Sequence, residues 1–413
     1  MTLDVVVRDA NEIFVGPDEL IEDGAVAVQD GAIAAVGPTA EVIREYPPEN
    51  AAESIDASGR TVLPGFVDAH THALFAGDRS DEYAAKLRGK TYEEIMAEGG
   101  GILSTVSAVR AADEQQLVEN LRGHLDTMLA HGTTTVEVKS GYGLDTDSEL
   151  KMLRALDRVD ADHPVDVVPT FMGAHAVPEG YAEAEYVDEV ITEQLPAVAD
   201  QGVAEFCDTF TETGVFSVEQ SHRVLQAGIE YGLTPKVHAE ELAHIGGTQL
   251  AADVGATSAD HLLHATEADI DALVDADVTP VLLPGTAFGL GAAYADATAF
   301  RDRGAPVAVA TDFNPNCHSH SMGFALSLAC VEMGLTPAEA LIAGTKHAAL
   351  ALDRTDGLGT LREGAPGDAV VLAAPSHVHI PYQYGTNVVD AVLKDGSVVS
   401  TPTHESYDRE VQP

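Results

Sequence analysis

The sequence has few cysteines, few aromatic residues and few basic residues. Among its 413 residues are three cysteines, no tryptophan and 5% aromatic residues. Cys207, Cys317 and Cys330 are too few for a disulfide framework, which favours a reducing compartment. The first residues show no basic region followed by an apolar stretch, so they contain no evident signal peptide. We therefore expect a cytoplasmic protein.

Long apolar runs are also missing, and none approaches the roughly 20 residues that cross a bilayer. This excludes a membrane protein of the helical type. Hydrophobic residues nevertheless make up 45% of the chain and charged residues 22%. Such a composition is typical of a folded protein with a large core, and not of a disordered one.

Positive charge is scarce, with 22 basic against 67 acidic residues and a net charge of −45. A surface of this kind repels phosphate groups, so nucleic acids and anionic membranes are not expected partners. The acids are spread along the whole chain, and only seven residues are lysine. Because 1 M salt shortens the screening length to roughly 3 Å, concentrated salt would suppress the self-repulsion. We expect the protein to come from a salt-accumulating halophile.

Short runs of β-forming residues open and close the chain, and eight apolar runs, each followed by a helix-length segment, lie between them. The eight runs are TVLPGFVDAH (61–70), GTTTVEVKSG (132–141), VDVVPTFMGAH (165–175), VAEFCDTF (203–210), LTPKVHAEE (233–241), ATSADHL (256–262), VTPVLLPG (278–285) and APVAVATD (305–312). This alternation predicts an α/β fold, a (β/α)8 barrel of the TIM type. An open, doubly wound sheet is the alternative.

The flanking β segments cannot pair inside a closed barrel. We expect residues 1–60 and 357–413 to form one small β-sandwich domain, and residues 61–356 to form the catalytic barrel. The chain would cross between them at GRTVLPGF and AALALDRTDGLG. Polar residues follow the ends of many central runs, where barrel enzymes carry their active sites, and this favours the barrel over the open sheet.

Two histidines follow the first central run as His70-x-His72. Residues i and i+2 of an extended segment face the same way, so both imidazoles can bind one metal ion. His238 and Asp312 lie at the ends of two other runs, and a ring of strands would bring all four together. Histidine and carboxylate ligands suit Zn²⁺, with Fe²⁺ as the alternative.

A metal-activated water needs a group that accepts and delivers its proton. Glu241, three residues after His238, is our candidate, although an acid-rich chain also carries many surface acids. His261 is the candidate for polarising a carbonyl or holding the water, with a structural histidine as the alternative. Asp312 is counted with these catalytic groups as well as with the ligands.

The segments PGFVDAHTH, VHAEE and Asp312 resemble the amidohydrolase superfamily. The segments HALFAGDR, GTTTVEVKSGYGL, PTFMGAH and DFNPN resemble its imidazolonepropionase family. The resemblance implies an enzyme with one divalent metal ion that hydrolyses 4-imidazolone-5-propanoate, a small molecule, to N-formimidoyl-L-glutamate. It implies the ligands His70, His72, His238 and Asp312, and substrate contacts from Arg79, Tyr92, Tyr142, His175, Glu241 and Asn314. A homodimer is common among related barrels and is expected here.

The implied contacts suit an anionic substrate. Arg79 offers a planar fork for the propionate carboxylate. Tyr142 lies between two glycines that allow a tight loop, and His175 could bond either the ring carbonyl or the carboxylate.

The sequence departs from the family at Asn316 and Cys317, where glycine and a hydroxyl residue are usual. Because asparagine tolerates positive φ, we expect Asn316 to keep the bend, whereas Cys317 is a weaker donor than serine. Both are retained as candidate substrate contacts.

Two further features are less specific. The three glycines of EGGGILSTV (98–106) suggest a lid or a simple connection. Lys139 lies at the end of the second central run. In amidohydrolases with two metal ions a lysine bridges the ions, but it lies on a different strand, so we expect one ion here.

Two other functions stay open at this point. A related metal-dependent deaminase of a nitrogen heterocycle would use the same ligands and glutamate, and it would release ammonia. A barrel that has lost catalysis and serves as a scaffold would turn over no cyclic amide.

Overall fold

A computed structural model of the chain describes residues 2–91, 94–95 and 98–401. Within them, one eight-stranded sheet combines the two ends of the chain. Its strands are β1 (Leu3–Gly16), β2 (Glu19–Gln29), β3 (Ala32–Pro38), β4 (Glu53–Asp56), β5 (Thr61–Pro64), β14 (Ala369–Leu372), β15 (Val389–Lys394) and β16 (Ser397–Ser400). The order is β16-β15-β14-β5-β1-β2-β3, with β4 also paired to β1. Most of its pairs are antiparallel, and β1 is parallel to β4 and β5.

The second sheet forms the barrel, and its eight strands follow one another in chain order. They are β6 (Phe66–Asp68), β7 (Thr133–Lys139), β8 (Asp166–Ala174), β9 (Phe206–Thr211), β10 (Thr234–Ala239), β11 (Ser258–His261), β12 (Thr279–Leu282) and β13 (Ala308–Val309). All neighbouring pairs are parallel. The predicted (β/α)8 fold is confirmed, and each of the eight apolar runs contributes its strand.

The barrel closes beyond the ends of its first and last strands. An isolated parallel bridge joins Thr71 to Phe313. The His72 N–H donates to Phe313 O (2.9 Å), and the Asp312 N–H donates to His70 O (3.1 Å). The hydrogen bonds that complete the ring therefore run through the residues that were predicted to bind a metal ion.

Helices connect the strands, and their apolar faces join the core. They are α1 (Thr39–Glu45), α2 (Ser80–Leu87), α3 (Ile102–Ala111), α4 (Glu114–Ala130), α5 (Thr146–Asp160), α6 (Glu183–Glu189), α7 (Leu195–Gln201), α8 (Val218–Glu230), α9 (Gly247–Asp253), α10 (Glu267–Asp275), α11 (Pro284–Leu290), α12 (Ala297–Asp302), α13 (Met322–Met333), α14 (Pro337–Ala343), α15 (Lys346–Leu350) and α16 (His379–Tyr382). A 3₁₀ turn covers Pro48–Asn50, and a π-helical turn covers Val190–Gln194.

Helix α8 illustrates how the sequence specifies these elements. Ser217 and Gln220 form a reciprocal capping box at its start, which satisfies two backbone donors. Its buried residues, Ser221, Val224, Leu225 and Gly228, recur at the spacing of one helix face. Among the described residues, no helix combines the length and the apolarity that a membrane span requires.

The first apolar run is divided between the two sheets at Gly65. Residues Thr61–Pro64 pair with the terminal strands, and only Phe66–Asp68 enter the barrel. A Cβ at Gly65 would lie 2.3 Å from Thr134 Oγ1, so the two strands approach too closely there for a side chain. Residues 61–64 of the first apolar run therefore lie outside the barrel, within the segment GRTVLPGF where the chain was expected to cross. The domain limits at residues 60 and 357 stay a prediction.

Candidate metal centre and active site

Four predicted ligands meet at the carboxyl ends of the barrel strands. His70 and His72 follow β6, His238 lies in β10 and Asp312 follows β13. All four are buried, with at most 3% of each residue exposed. His70 Nε2 lies 3.6 Å from Asp312 Oδ1, and His72 Nε2 lies 3.3 Å from His238 Nε2 and 3.8 Å from Asp312 Oδ1. The structure thus brings together residues that are up to 242 positions apart.

Two buried carboxylates orient the histidines. His70 Nδ1 donates to Asp260 Oδ2 (2.6 Å), and His238 Nδ1 lies 3.0 Å from Asp208 Oδ2. A carboxylate behind one ring nitrogen fixes the tautomer and leaves the lone pair of the other nitrogen for a metal ion. The Nε2 atoms of both histidines are therefore the available ligand atoms.

The cluster has the properties of a cation site. His70 Nε2 and Asp312 Oδ1 are buried and have no hydrogen-bond partner among the described residues, which is costly unless another group satisfies them. Burial lowers the pKa of His70 and of His72 well below the usual value, so both rings are neutral. Neutral imidazoles and a carboxylate are a donor set that suits a divalent transition metal.

His261 lies at the edge of this cluster. Ligand atoms of His70, His238 and His261 approach within 4.8 Å of one another, as do those of His70, His72 and Asp312. The two triads share His70. Burial lowers the pKa of His261 well below its usual value, so its ring is also neutral.

Asp312 is held in an unusual backbone conformation with φ of 49°. The Thr286 hydroxyl donates to its Oδ2, while Oδ1 faces the histidines. Burial raises the pKa of Asp312. Aspartate tolerates this left-handed region better than most residues, and the conformation turns its free oxygen towards the site.

Glu241 stands beside His261, with its Oε2 3.7 Å from His261 Nε2. Burial, and then the charge of Asp312, raises the pKa of Glu241 to about 8. The backbone that follows is anchored, because Glu212 accepts bonds from the N–H groups of Leu242 and Ala243. A carboxyl group with this pKa can exchange a proton near neutral pH.

Tyr142 and His175 form an aromatic wall next to His72. The His175 ring stacks on His72 with 4.7 Å between centroids, and the Tyr142 ring lies 5.2 Å from that of His175. His175 Nδ1 donates to Gly141 O (2.9 Å), and burial lowers the pKa of His175 to about 3. Burial raises the pKa of Tyr142, so the phenol keeps its proton. Both side chains are therefore neutral hydrogen-bonding groups.

Arg79 lines a cavity of about 1010 Å³ that also reaches Asn316 and Cys317. Its guanidinium Nε and Nη2 each lie 2.9 Å from Glu82 Oε2. Glu82 Oε1 in turn accepts a bond from the Gly101 N–H (3.0 Å), which ties the glycine-rich segment to this region. Whether that segment acts as a lid stays a prediction. Tyr92 lies outside the described residues.

The segment after Asp312 is organised by Asn314. Its Nδ2 donates to Asp312 O (2.8 Å), and its Oδ1 accepts from the N–H groups of Asn316 (2.7 Å) and Cys317 (2.9 Å). The side chain of Asn314 thus forms the turn together with a backbone hydrogen bond from the Asn314 N–H to Cys317 O (3.1 Å). Among the described residues with positive φ, Asn316 does not appear, so the expected left-handed bend there was wrong. Cys317 is buried, with its Sγ 3.7 Å from Thr311 O.

Sequence reasoning missed the two orienting carboxylates, Asp208 and Asp260. Each lies inside an apolar run, VAEFCDTF and ATSADHL, where a charged residue is unusual. That position was the available signal. Lys139 was noticed, but not its contacts, which include Asp208 Oδ2 at 2.7 Å.

The comparisons with known proteins agree with this picture. The model of the amidohydrolase family matches residues 61–399, and that of an imidazolonepropionase-like composite domain of bacteria matches residues 24–48. A relative named imidazolonepropionase from Haloarcula marismortui is 80% identical over the full length of both chains. One with the same name from Halobacterium salinarum is 63% identical, over 96% of this chain and 98% of its own.

A solved structure named as an adenosine deaminase from Xanthomonas campestris with bound zinc has a TM-score of 0.73. It is 19% identical, over 96% of this chain and 93% of its own. At that level of identity, the likeness supports the fold alone.

Proposed function

Since the chain belongs to the amidohydrolase family and, within it, to the imidazolonepropionases, we propose the residues by which it performs the reaction of that family. The protein is a hydrolase that opens the cyclic amide of 4-imidazolone-5-propanoate and yields N-formimidoyl-L-glutamate. The related deaminase function is not favoured by the high identity to imidazolonepropionases.

His70, His72, His238 and Asp312 are the proposed ligands of one divalent ion, Zn²⁺ or Fe²⁺. Their support is that His70 Nε2 and Asp312 Oδ1 are buried without a partner among the described residues, and that ligand atoms of His70, His72 and Asp312 lie within 4.8 Å of one another. When bound, such an ion supplies Lewis acidity, which makes water a nucleophile at neutral pH. His261 stands beside these four, where its neutral ring can hold the water or donate to the substrate carbonyl.

Glu241 is the proposed proton shuttle. Its carboxylate takes a proton from the attacking water, whose oxygen bonds to the amide carbonyl carbon. As the carbon–nitrogen bond breaks, Glu241 delivers that proton to the leaving ring nitrogen. The product contains one added water, and the glutamate returns to its initial state. A pKa near 8 suits both directions of transfer.

Arg79 is the proposed partner of the propionate carboxylate. It would exchange its present carboxylate, Glu82, for that of the substrate, and both interactions use two donors of the guanidinium. Tyr142, His175 and Asn314 are proposed to surround the substrate, and Asn316 and Cys317 to line its approach. Tyr92 is retained as a proposed contact from the family resemblance alone.

The proposal rests on one observation. The carboxyl group of Glu241, which accepts no hydrogen bond from a described residue, lies 3.7 Å from His261 at the edge of the buried histidine cluster. The test is an assay of imidazolonepropionate hydrolysis, in molar KCl, on protein whose metal content has been measured. We expect turnover proportional to one equivalent of metal ion, without ammonia release. Absence of turnover in metal-loaded protein, or release of ammonia, would contradict the proposal.

The remaining proposals concern the environment and the partners of the protein. All three cysteines are unpaired, which agrees with the expected reducing cytoplasm. We propose a small-molecule substrate with no nucleic-acid or membrane partner, in keeping with the net charge of −45. The homodimer and the halophilic source stay predictions.

A further inference from the structure

A group of charged side chains lies inside the barrel beneath the candidate metal centre. Lys139 Nζ lies 2.8 Å from Glu137 Oε1, 2.7 Å from Asp208 Oδ2 and 3.7 Å from Asp260 Oδ2. All four side chains are fully buried. Although burial alone would lower it, the charges of these carboxylates hold the pKa of Lys139 above its usual value, so the lysine is an ammonium ion.

Two of these carboxylates are the ones that orient metal ligands. Asp208 lies behind His238, and Asp260 lies behind His70. His238 lies on β10 and His70 follows β6, and these two strands are not neighbours in the sheet. Backbone hydrogen bonds between the two strands therefore cannot fix the position of one histidine relative to the other. Lys139, on β7, is the one ammonium group within 4 Å of both carboxylates among the described residues.

We propose that Lys139 is a positioning residue that holds Asp208 and Asp260 in place, and through them aligns His238 and His70 for the metal ion. The inference rests on the proposed ligands and deepens the proposed function. Among the described residues, the hydrogen bonds and ion pairs of the Lys139 side chain go to carboxylates and to none of the proposed ligand atoms.

Two physical effects oppose each other when this lysine is lost. Removal of a positive charge near the site would by itself favour a cation, because less repulsion remains. Removal also takes away the ammonium group that bridges the two buried carboxylates, and carboxylates that lose such a partner move from their positions. A displaced carboxylate no longer orients its histidine, and loss of such support typically weakens metal binding by about 10–100-fold. The sign of the change in affinity therefore distinguishes the two effects.

The experiment measures Zn²⁺ affinity by competition with a chromogenic chelator, in molar KCl, for the full chain and for Lys139→Met. We expect binding to the variant to be about 10–100-fold weaker. Lys394→Met is the matched control, because Lys394 is also buried between carboxylates, 3.0 Å from Asp368 and 2.8 Å from Asp166, but in the terminal sheet. It should lose thermal stability and keep its Zn²⁺ affinity.

Equal or tighter Zn²⁺ binding by Lys139→Met would overturn the inference, and so would an equal loss in both variants. If Lys139→Met does not fold, Lys139→Gln, which keeps a donor for one carboxylate, is measured against the same two criteria. The readout needs no substrate. A chain that binds Zn²⁺ but fails to hydrolyse imidazolonepropionate would contradict the proposed function and leave this comparison valid.

Discussion

Among the acids near the metal centre, Glu241 is the one with no hydrogen bond from a described residue to its carboxyl group. Its neighbour Glu240 accepts bonds from the N–H groups of Ile245, Gly246 and Thr248. A carboxylate whose oxygens accept several backbone hydrogen bonds has a structural role, whereas a carboxyl group without such donors can exchange its proton. This contrast separates two adjacent glutamates that look alike in sequence.

We therefore expect Glu241→Gln to leave the metal ion bound and to lower kcat by about 10² or more. The measurement is steady-state kinetics together with metal analysis. Glu240→Gln is the control, and it should lower thermal stability while kcat falls by at most about tenfold, less than for a general acid–base group. Near-normal turnover of Glu241→Gln would remove it from the mechanism.

A substitution of Arg79 compares the effect on substrate binding with the effect on metal binding. Loss of a charge-assisted bidentate contact costs about 1.5–3 kcal/mol, so Arg79→Ala should raise KM by about 10–100-fold. Zn²⁺ affinity should change little. Arg88, which is exposed and lies outside the cavity, provides the control Arg88→Ala. A parallel loss of metal and substrate binding in Arg79→Ala would indicate a structural role.

The sequence predicted that the proposed metal ligands lie together, because each is at or just beyond the carboxyl end of a strand and a barrel brings such ends together. Their supporting groups could not be predicted in the same way. Asp208 reaches His238 because β9 and β10 pair with Phe210 opposite His238, and that register is a property of the folded sheet. A charged residue in an apolar run indicates only that some partner exists.

At the scale of elements, all eight barrel strands were predictable from apolar runs, since parallel strands covered by helices are buried on both faces. All seven residues of β7 are buried, for example. The crossing was expected within GRTVLPGF, but its position at Gly65 was not predictable, because TVLPGFVD is apolar on both sides of the glycine. At the break, the close approach of Thr134 on the neighbouring strand β7 leaves no room for a side chain.

Gly65 consequently offers a test of how the two sheets are joined. A methyl group there would overlap Thr134, and such overpacking costs about 1–3 kcal/mol, so Gly65→Ala should lower the free energy of unfolding by that amount. Gly123 is the matched control, because it is exposed within α4 and a Cβ added there would meet no atom within 4 Å. Gly123→Ala should stabilise the protein by up to about 1 kcal/mol. Denaturant unfolding compares them, and equal stability of both variants would show that Thr134 can move aside.

At the scale of the whole molecule, the excess of negative over positive charge is larger on the surface than the composition suggests. Three of the seven lysines, Lys139, Lys236 and Lys394, are buried and at most 5% exposed. They neutralise acids in the interior and contribute little positive charge to the surface. The outer surface therefore carries a large excess of acidic groups that repel one another.

This excess predicts a protein that is more stable in concentrated salt. Raising KCl from 0.1 M to 1 M shortens the screening length from about 10 Å to about 3 Å, so most repulsion between surface carboxylates disappears. We expect Tm to rise by about 5–10 °C, which corresponds to several kcal/mol for a chain of this size. Sucrose at matched osmolality is the control, because it favours compact states without screening charge. A Tm that is flat or falls with KCl, or that rises equally with sucrose, would mean that surface repulsion does not limit the stability of this fold.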